Sequence, residues 1–417
     1  MTKTILLLCD GMSDRPTDLL HGKTPMETAR KPHMDLLAGH GSMGLAKTLP
    51  EGMPTGSDVA NLSILGYDPL IFHTGRSPIE ALAMGVELED TDLAFRCNLV
   101  TLSGEGEFED QVMQDYSAGE IDTPDARELI QKIGQNLGDD AFKFYPGISY
   151  RHCMVCRAPA DEYRLTPPHD ITGKVIRPYL PEGSGAKEIL RIMKEGHRLL
   201  AADPLNRRRQ QMGLAPANAL WLWGQGRRMT LEPFLARHGR RGSVISAVDL
   251  LKGIAIAAGL KHVTVEGATG NIHTNYRGKA LAALSELQSG QDFVFIHVEA
   301  PDECGHQGNS GEKVRAIERI DEELLGTLLK GLAGTAADNG PFDILITPDH
   351  ATPLDIKTHV RDPVPWLLYR HRSGSLPQSR TGVRYDERSA ATAAAGRILK
   401  GTELIPMLFS GEAEDLF

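Results

Sequence analysis

The chain has 417 residues, 41% of them hydrophobic, enough to bury a substantial core in roughly two or three domains. Its formal net charge of -10 gives no electrostatic reason to expect nucleic acid or an anionic membrane as partner, so an anionic ligand must be attracted locally. Five scattered cysteines, an odd number, fit a reducing cytoplasm better than a disulfide framework.

The opening MTKTILLLCDGM holds one short apolar run that reads as a strand. It is too short for a secretory signal, and Asp10 ends it. In PTGSDVANLSILGYDP (54–69), Ser57 stands where a helix N-cap belongs, with Val59, Leu62 and Leu65 following at helical spacing and Gly66 and Pro69 marking the end. Such a serine is commonly only a cap, yet a helix N-terminus also offers N–H groups and a positive dipole to a phosphate.

From about Leu93 the texture changes. LAFRCNLVTL and FKFYPGISYRHCMV read as strands, 123–137 and 184–203 as helices, and PPHDITGK as a turn-rich loop ahead of WLWGQG. Cys153 and Cys156 form a lone C-x-x-C on a strand, which reads as structural. Strands then recur as GSVISAV, HVTVEG, DFVFIHVEA and FDILITPD, and 312–331 carries one apolar stripe between charged faces. This alternation predicts an α/β fold, with residues 1–94 and 221–417 forming a core domain around a largely parallel sheet flanked by helices. Residues 95–220 are expected to form a smaller inserted α+β domain. No segment approaches the length of a membrane span.

In such folds ligands collect at the carboxyl ends of the strands. Asp10 follows the first strand, and Asp349 and His350 follow FDILIT. After DFVFIHV, Asp302 and His306 stand four residues apart, on one side of a helical turn, and His359 lies downstream in DIKTHVRDPVP. Each alone has a bland reading, as a loop cap or a satisfied polar residue. Together, three Asp and three His fall where one sheet edge would gather them, and oxygen with imidazole suits a Mn²⁺- or Zn²⁺-type pair better than Ca²⁺. Two divalent cations bring four positive charges and three aspartates remove three, so the site would favour Ser57 as an alkoxide, a covalent nucleophile.

The motifs CDGMSDRP, GKTPMETA, PTGSDVANLSILGYDP, TGRSPIEALAMGVEL, AFRCNLVT, PHDITGK, WLWGQG, SAVDLLKGI, EAPDECGHQG and TPDHATP resemble those of the archaeal-type cofactor-independent phosphoglycerate mutases, in the alkaline phosphatase superfamily. The likeness runs from about residue 5 to beyond 365. It implies an alkaline-phosphatase-like core with an inserted substrate-binding lid, and Ser57 as phosphoryl acceptor. One metal would be held by Asp10, Ser57, Asp349 and His350, the other by Asp302, His306 and His359. The cofactors implied are two divalent ions, Mn²⁺ first, with Zn²⁺, Mg²⁺ or Co²⁺ as alternatives, and no bisphosphoglycerate. Lys252 is the candidate catalytic cation, while Arg96, Arg151 and His152, with His169 and Asp170 on the lid side, are candidates to hold a small phosphorylated metabolite. For the arginines and Lys252 the bland alternative is an ordinary salt bridge, and for His169 and Asp170 it is the shaping of a turn.

The family reaction moves a phosphoryl group between the 2- and 3-hydroxyls of glycerate through a phosphoserine. The resemblance also leads one to expect an aspartate near His273, and its absence leaves that loop without an assigned role. FYPGISYRH and DYSAGEI resemble a bacterial branch proposed as homoserine kinases, so a homoserine-directed phosphotransferase is the first alternative. A non-catalytic metabolite-binding protein is the second. The expected location is the cytoplasm, and oligomeric state is not readable.

Overall fold

The computed structural model describes residues 2–410 apart from 105, 158, 160–161, 334–339, 374 and 378–380. Its strands are β1 (Lys3–Cys9), β2 (Ser42–Lys47), β3 (Leu93–Ser103), β4 (Val112–Asp115), β5 (Phe142–Ile148), β6 (Arg151–Cys156), β7 (Ala219–Arg227), β8 (Gly242–Ile245), β9 (Lys261–Val263), β10 (Phe293–Val298), β11 (Phe342–Thr347), β12 (Val364–His371) and β13 (Ile398–Lys400). The chain divides into two compact units, Met1–His73 with Thr230–Phe417, and Thr74–Met229.

The first unit is built on an eight-stranded sheet of order β13-β2-β12-β11-β1-β10-β8-β9. Only β12 runs against the others, so the sheet is largely parallel. The central strands β1, β10 and β11 are near-continuous apolar runs because helices cover both faces of a parallel sheet. Ile5, Leu7, Val294, Ile296, Ile344 and Ile346 are buried in one shared cluster, each side chain stabilising the fold by roughly 1.5–3 kcal/mol. Two expected strands are shorter than their apolar runs. GSVISAV stops at Ile245 because the Ser246 hydroxyl accepts from Val248 N–H and turns the chain, and HVTVEG pairs only over Lys261–Val263. The helix expected over 312–331 spans Ser310–Arg319 and Gly326–Ala333 with a π-helical stretch, Ile320–Leu325, between them. Buried Asp321 in that stretch accepts the N–H groups of His33 and Met34.

The second unit is a five-stranded antiparallel sheet, β4-β3-β6-β5 with β7 also on β3. The helices Thr123–Leu137 and Ala186–Ala201 supply Leu129, Ile133, Ile189 and Met193 to a core that β3 and β7 complete. This unit takes in residues 74–94 and 221–229 as well as the expected 95–220. The reason is packing: the helix Ser77–Ala83 rests on β3 and β7, and β7 runs on to Arg227. All five cysteines are buried and free, and among the described residues no helix is long and apolar enough to cross a membrane.

Candidate functional site

Topology brings the chemistry to one edge of the first unit's sheet. Asp10 leaves the end of β1, Asp349 and His350 leave β11, and the helix Ala300–Gln307 after β10 carries Asp302 and His306. Because β12 is antiparallel, its start lies at this same edge, and His359 precedes it there. Gly11, just after Asp10, has φ +60, and a Cβ there would fall 2.5 Å from Asp302 Oδ1, so the turn admits only glycine.

Ser57 is the first residue of the helix Ser57–Ile64, not its N-cap, which is Gly56, and its side chain makes no capping bond. A Cβ on Gly56 would meet the Asp58 carboxylate, which folds back over it and pairs with His73 at 2.7 Å. The cap reading is therefore corrected: the Ser57 hydroxyl is turned instead toward His350 Nε2, 3.1 Å away. The first turn of this helix, whose positive dipole end favours an anion, lies beside it.

The three histidines share a hydrogen-bonding pattern. His306 Nδ1 donates to the Lys357 carbonyl at 2.9 Å, and His359 Nδ1 donates to the Thr55 carbonyl at 2.7 Å. His350 Nδ1 lies 3.2 Å from Thr352 Oγ1. A carbonyl only accepts, so these contacts leave the Nε2 atoms for a proton or a cation. His306 Nε2 and His359 Nε2 stand 3.0 Å apart, each beside Asp302, at 3.2 and 3.4 Å. His350 Nε2 lies 3.4 Å from both Asp10 Oδ1 and Asp349 Oδ2. The ligand atoms of Asp302, His306 and His359 fall within 4.8 Å of one another, as do those of Asp10, Asp302 and His350. Asp302 thus stands in both groups. Asp349 stays beside them, its carboxylate accepting from Gly11 N–H, His350 N–H and Asn61 Nδ2.

Electrostatics favour a cation here. Burial and the negative charges of Asp349, Asp302 and Glu299 raise the Asp10 carboxyl well above its ordinary range, and its buried Oδ1 accepts no hydrogen bond among the described residues. Burial would also raise Asp302, but the hydrogen bonds of His306 and His359 hold it well below the usual carboxylate value. The Asp302 hydrogen bond pushes His306 up to about 9 and also lifts His359 against burial, so protons compete with a cation for these nitrogens. An orphaned buried carboxylate oxygen, clustered carboxylates and inward-facing imidazoles together fit divalent ions of the Mn²⁺ or Zn²⁺ kind.

Several residues at this edge escaped the sequence reading. His297, mid-strand in β10, is buried; its Nε2 donates to Asp10 Oδ2 at 2.9 Å, and Ser246 Oγ lies 3.1 Å from its Nδ1. Burial holds its pKa down at about 3, so it stays neutral. A histidine inside a fully buried strand needs partners, and that was the available signal. Asn61, one turn after Ser57, bonds the Ser57 carbonyl and Asp349. Lys252 lies on the helix Asp249–Ala257, which packs against the serine helix, and His273 is exposed on a turn.

In the second unit, Arg96 and Arg151 project from one face of the β3–β6 pair, since Arg96 pairs with Cys153 and Arg151 with Asn98. Arg96 stacks 4.2 Å over Trp223, and its Nε donates to Glu80, which also receives Arg76. Arg151 lies over Tyr150. His169 meets the edge of Trp223 at 5.3 Å, with Asp170 3.6 Å from its Nε2. Burial lowers the His169 pKa, with Arg96 and Arg76 adding to the effect. His152 is not with this group: strand alternation turns it to the opposite face, where it is buried and accepts from Gly147 N–H at 3.0 Å.

The first unit is an α/β core with carboxylates and imidazoles gathered beside a helix-borne serine at the carboxyl edge of its largely parallel sheet. A family model described as 2,3-bisphosphoglycerate-independent phosphoglycerate mutase matches residues 38–206. A Geobacter sulfurreducens protein named "Probable 2,3-bisphosphoglycerate-independent phosphoglycerate mutase" is 50% identical over 392 residues, 94% of this chain and 96% of that one. The 2,3-bisphosphoglycerate-independent phosphoglycerate mutase of Methanosarcina barkeri is 46% identical over 407 residues, 97% and 99% of the two chains. Among solved structures, the PH0037 protein of Pyrococcus horikoshii has a TM-score of 0.78 at 31% identity, over 99% of this chain and 98% of that one. The cofactor-independent phosphoglycerate mutase of Thermoplasma acidophilum has a TM-score of 0.64 at 25% identity, over 98% and 99%. The chain belongs to the 2,3-bisphosphoglycerate-independent phosphoglycerate mutases.

Proposed function

We propose that this enzyme interconverts 2- and 3-phosphoglycerate through a phosphoserine on Ser57. The observation that carries the proposal is the convergence of three histidine Nε2 atoms and the carboxylates of Asp10, Asp302 and Asp349 beside the Ser57 hydroxyl. Asp10, Ser57, Asp349 and His350 would hold one divalent ion and Asp302, His306 and His359 the other, with Mn²⁺ the favoured metal. Bound there, the ions would lower the pKa of the serine hydroxyl and neutralise the transferring phosphoryl oxygens.

In the first transfer Ser57 Oγ, having lost its proton, forms a bond to phosphorus as the bond to the substrate's alcohol oxygen breaks. That alcohol oxygen takes up a proton. In the second transfer the other hydroxyl of the retained glycerate loses its proton and takes the phosphoryl group back, freeing Ser57. N–H groups of the first helical turn stabilise the phosphoryl oxygens, Asn61 steadies Asp349, and Lys252 supplies a further cation. The second unit serves as the lid, Arg96 and Arg151 with His169 and Asp170 holding the anionic substrate, because retention of glycerate requires exclusion of water.

Purified enzyme should turn over 3-phosphoglycerate without added bisphosphoglycerate and should not phosphorylate homoserine with ATP. The reverse outcome would overturn the mutase reading. For the lid, Arg151→Ala and Arg96→Lys are the informative variants, since Arg96→Ala would leave Glu80 short of a buried partner and risk the fold. Each should lower kcat/KM by roughly 10- to 100-fold while bound metal, measured by elemental analysis, stays unchanged. Loss of metal in either variant would mean that these arginines support the fold instead of the substrate.

A further inference from the structure

Thr352, two residues beyond His350, touches both candidate ligand groups. It is fully buried, and its hydroxyl contacts Asp302 Oδ1 and, at 3.2 Å, His350 Nδ1. A hydroxyl has one proton to give. A carboxylate only accepts, so the Thr352 O–H donates to Asp302, and its lone pair is left to accept from His350 Nδ1–H. His350 is thereby held as the tautomer whose bare Nε2 faces Ser57 Oγ and Asp10 Oδ1.

The surroundings hold Thr352 in this pose. Its N–H donates to the Ser13 carbonyl at 3.2 Å, and its carbonyl accepts from Lys313 Nζ at 2.8 Å. Lys313 is a fully buried cation that also binds Asp14 at 2.8 Å and reaches the Ser13 carbonyl, tying the loop after β1 to the loop after β11. Gly11 and Gly305 press on it from two sides: a Cβ at Gly11 would fall 2.6 Å from Thr352 Oγ1, and one at Gly305 would fall 2.7 Å from the Thr352 carbonyl oxygen.

We infer that Thr352 is a positioning residue that sets the His350 tautomer and the Asp302 carboxylate together, coupling the two metal groups through one hydroxyl. The inference rests on the bimetallic reading of this site. Its test is Mn²⁺ binding by titration calorimetry on wild type, Thr352→Val and Thr352→Ser, with circular dichroism as the check on folding. Valine keeps the shape and removes the hydroxyl, so its affinity should fall by roughly 10- to 100-fold; serine keeps the hydroxyl and should stay within a few-fold of wild type. Nitrogen-15 histidine spectra of the protein before Mn²⁺ addition should have His350 protonated at Nδ1 in wild type and serine variant, and lose that preference in the valine variant.

Equal affinity of valine variant and wild type, or equal loss in both variants, would overturn the role of the hydroxyl while leaving the bimetallic site standing. Wild type that binds no Mn²⁺ would instead overturn the site reading, and this inference with it. Should the valine variant not fold, Thr352→Ala gives the same hydroxyl-free comparison against serine.

Discussion

Ser57→Ala is expected to remain folded and metal-loaded and to lose phosphoryl transfer by at least about 10⁴-fold, because the proposed covalent intermediate forms on the Ser57 hydroxyl. The structure sharpens this test. A serine acting as N-cap would cost about 0.5–2 kcal/mol on replacement by alanine. Ser57 instead occupies the first helical position with Gly56 as cap, where alanine is a good helix former. The melting temperature of Ser57→Ala should therefore stay close to wild type. Mass spectrometry of wild type quenched during turnover should find phosphate on Ser57, and the alanine variant should carry none. A stable, metal-loaded alanine variant that still interconverts the phosphoglycerates would reduce Ser57 to a structural residue.

Exhaustive chelation should abolish activity, and Mn²⁺ should restore it better than Ca²⁺, since the ligand set mixes imidazole with carboxylate. A readout independent of turnover follows from the buried charges. Three aspartates crowd this edge, and Asp10 in particular is disfavoured as an anion there. A divalent ion should stabilise the fold, by roughly 2.7 kcal/mol for each site held at a hundred times its dissociation constant. Calorimetric scans with and without Mn²⁺ would read this directly. Protons should oppose the metal: the imidazole nitrogens bind it only when unprotonated, and Asp302 holds His306 up to about 9 in the metal-free site. Apparent Mn²⁺ affinity should consequently weaken as pH falls, giving an acid limb of activity that excess metal partly relieves. Full activity in metal-free protein would end the bimetallic account.

Much of this was readable in the chain. The apolar runs ILLLC, FVFIHV and FDILIT become the central parallel strands β1, β10 and β11 because strands covered on both faces need apolar residues at every position. The residues that follow them, Asp10, Asp302 and Asp349 with His350, meet at one edge because parallel strands end together. The spacing of Asp302 and His306 already put both on one side of a helix.

Other features came only with tertiary structure. Whether Ser57 caps its helix or faces His350 depends on Asp58 folding back over Gly56 to reach His73, and no local propensity encodes that. His152 was grouped with Arg151 by adjacency, but neighbours in a strand face opposite ways, and only the packed sheet says which side carries the arginines. The extent of the inserted unit depended on where the helix Ser77–Ala83 docks. His297, Thr352 and Lys313 are legible as buried polar residues only once their strands and loops are enclosed. Sequence determined which ligand types reach the sheet edge, since that follows from strand order and direction. Packing decided which nitrogen of each histidine faces inward, since that depends on carbonyls and hydroxyls brought from distant segments.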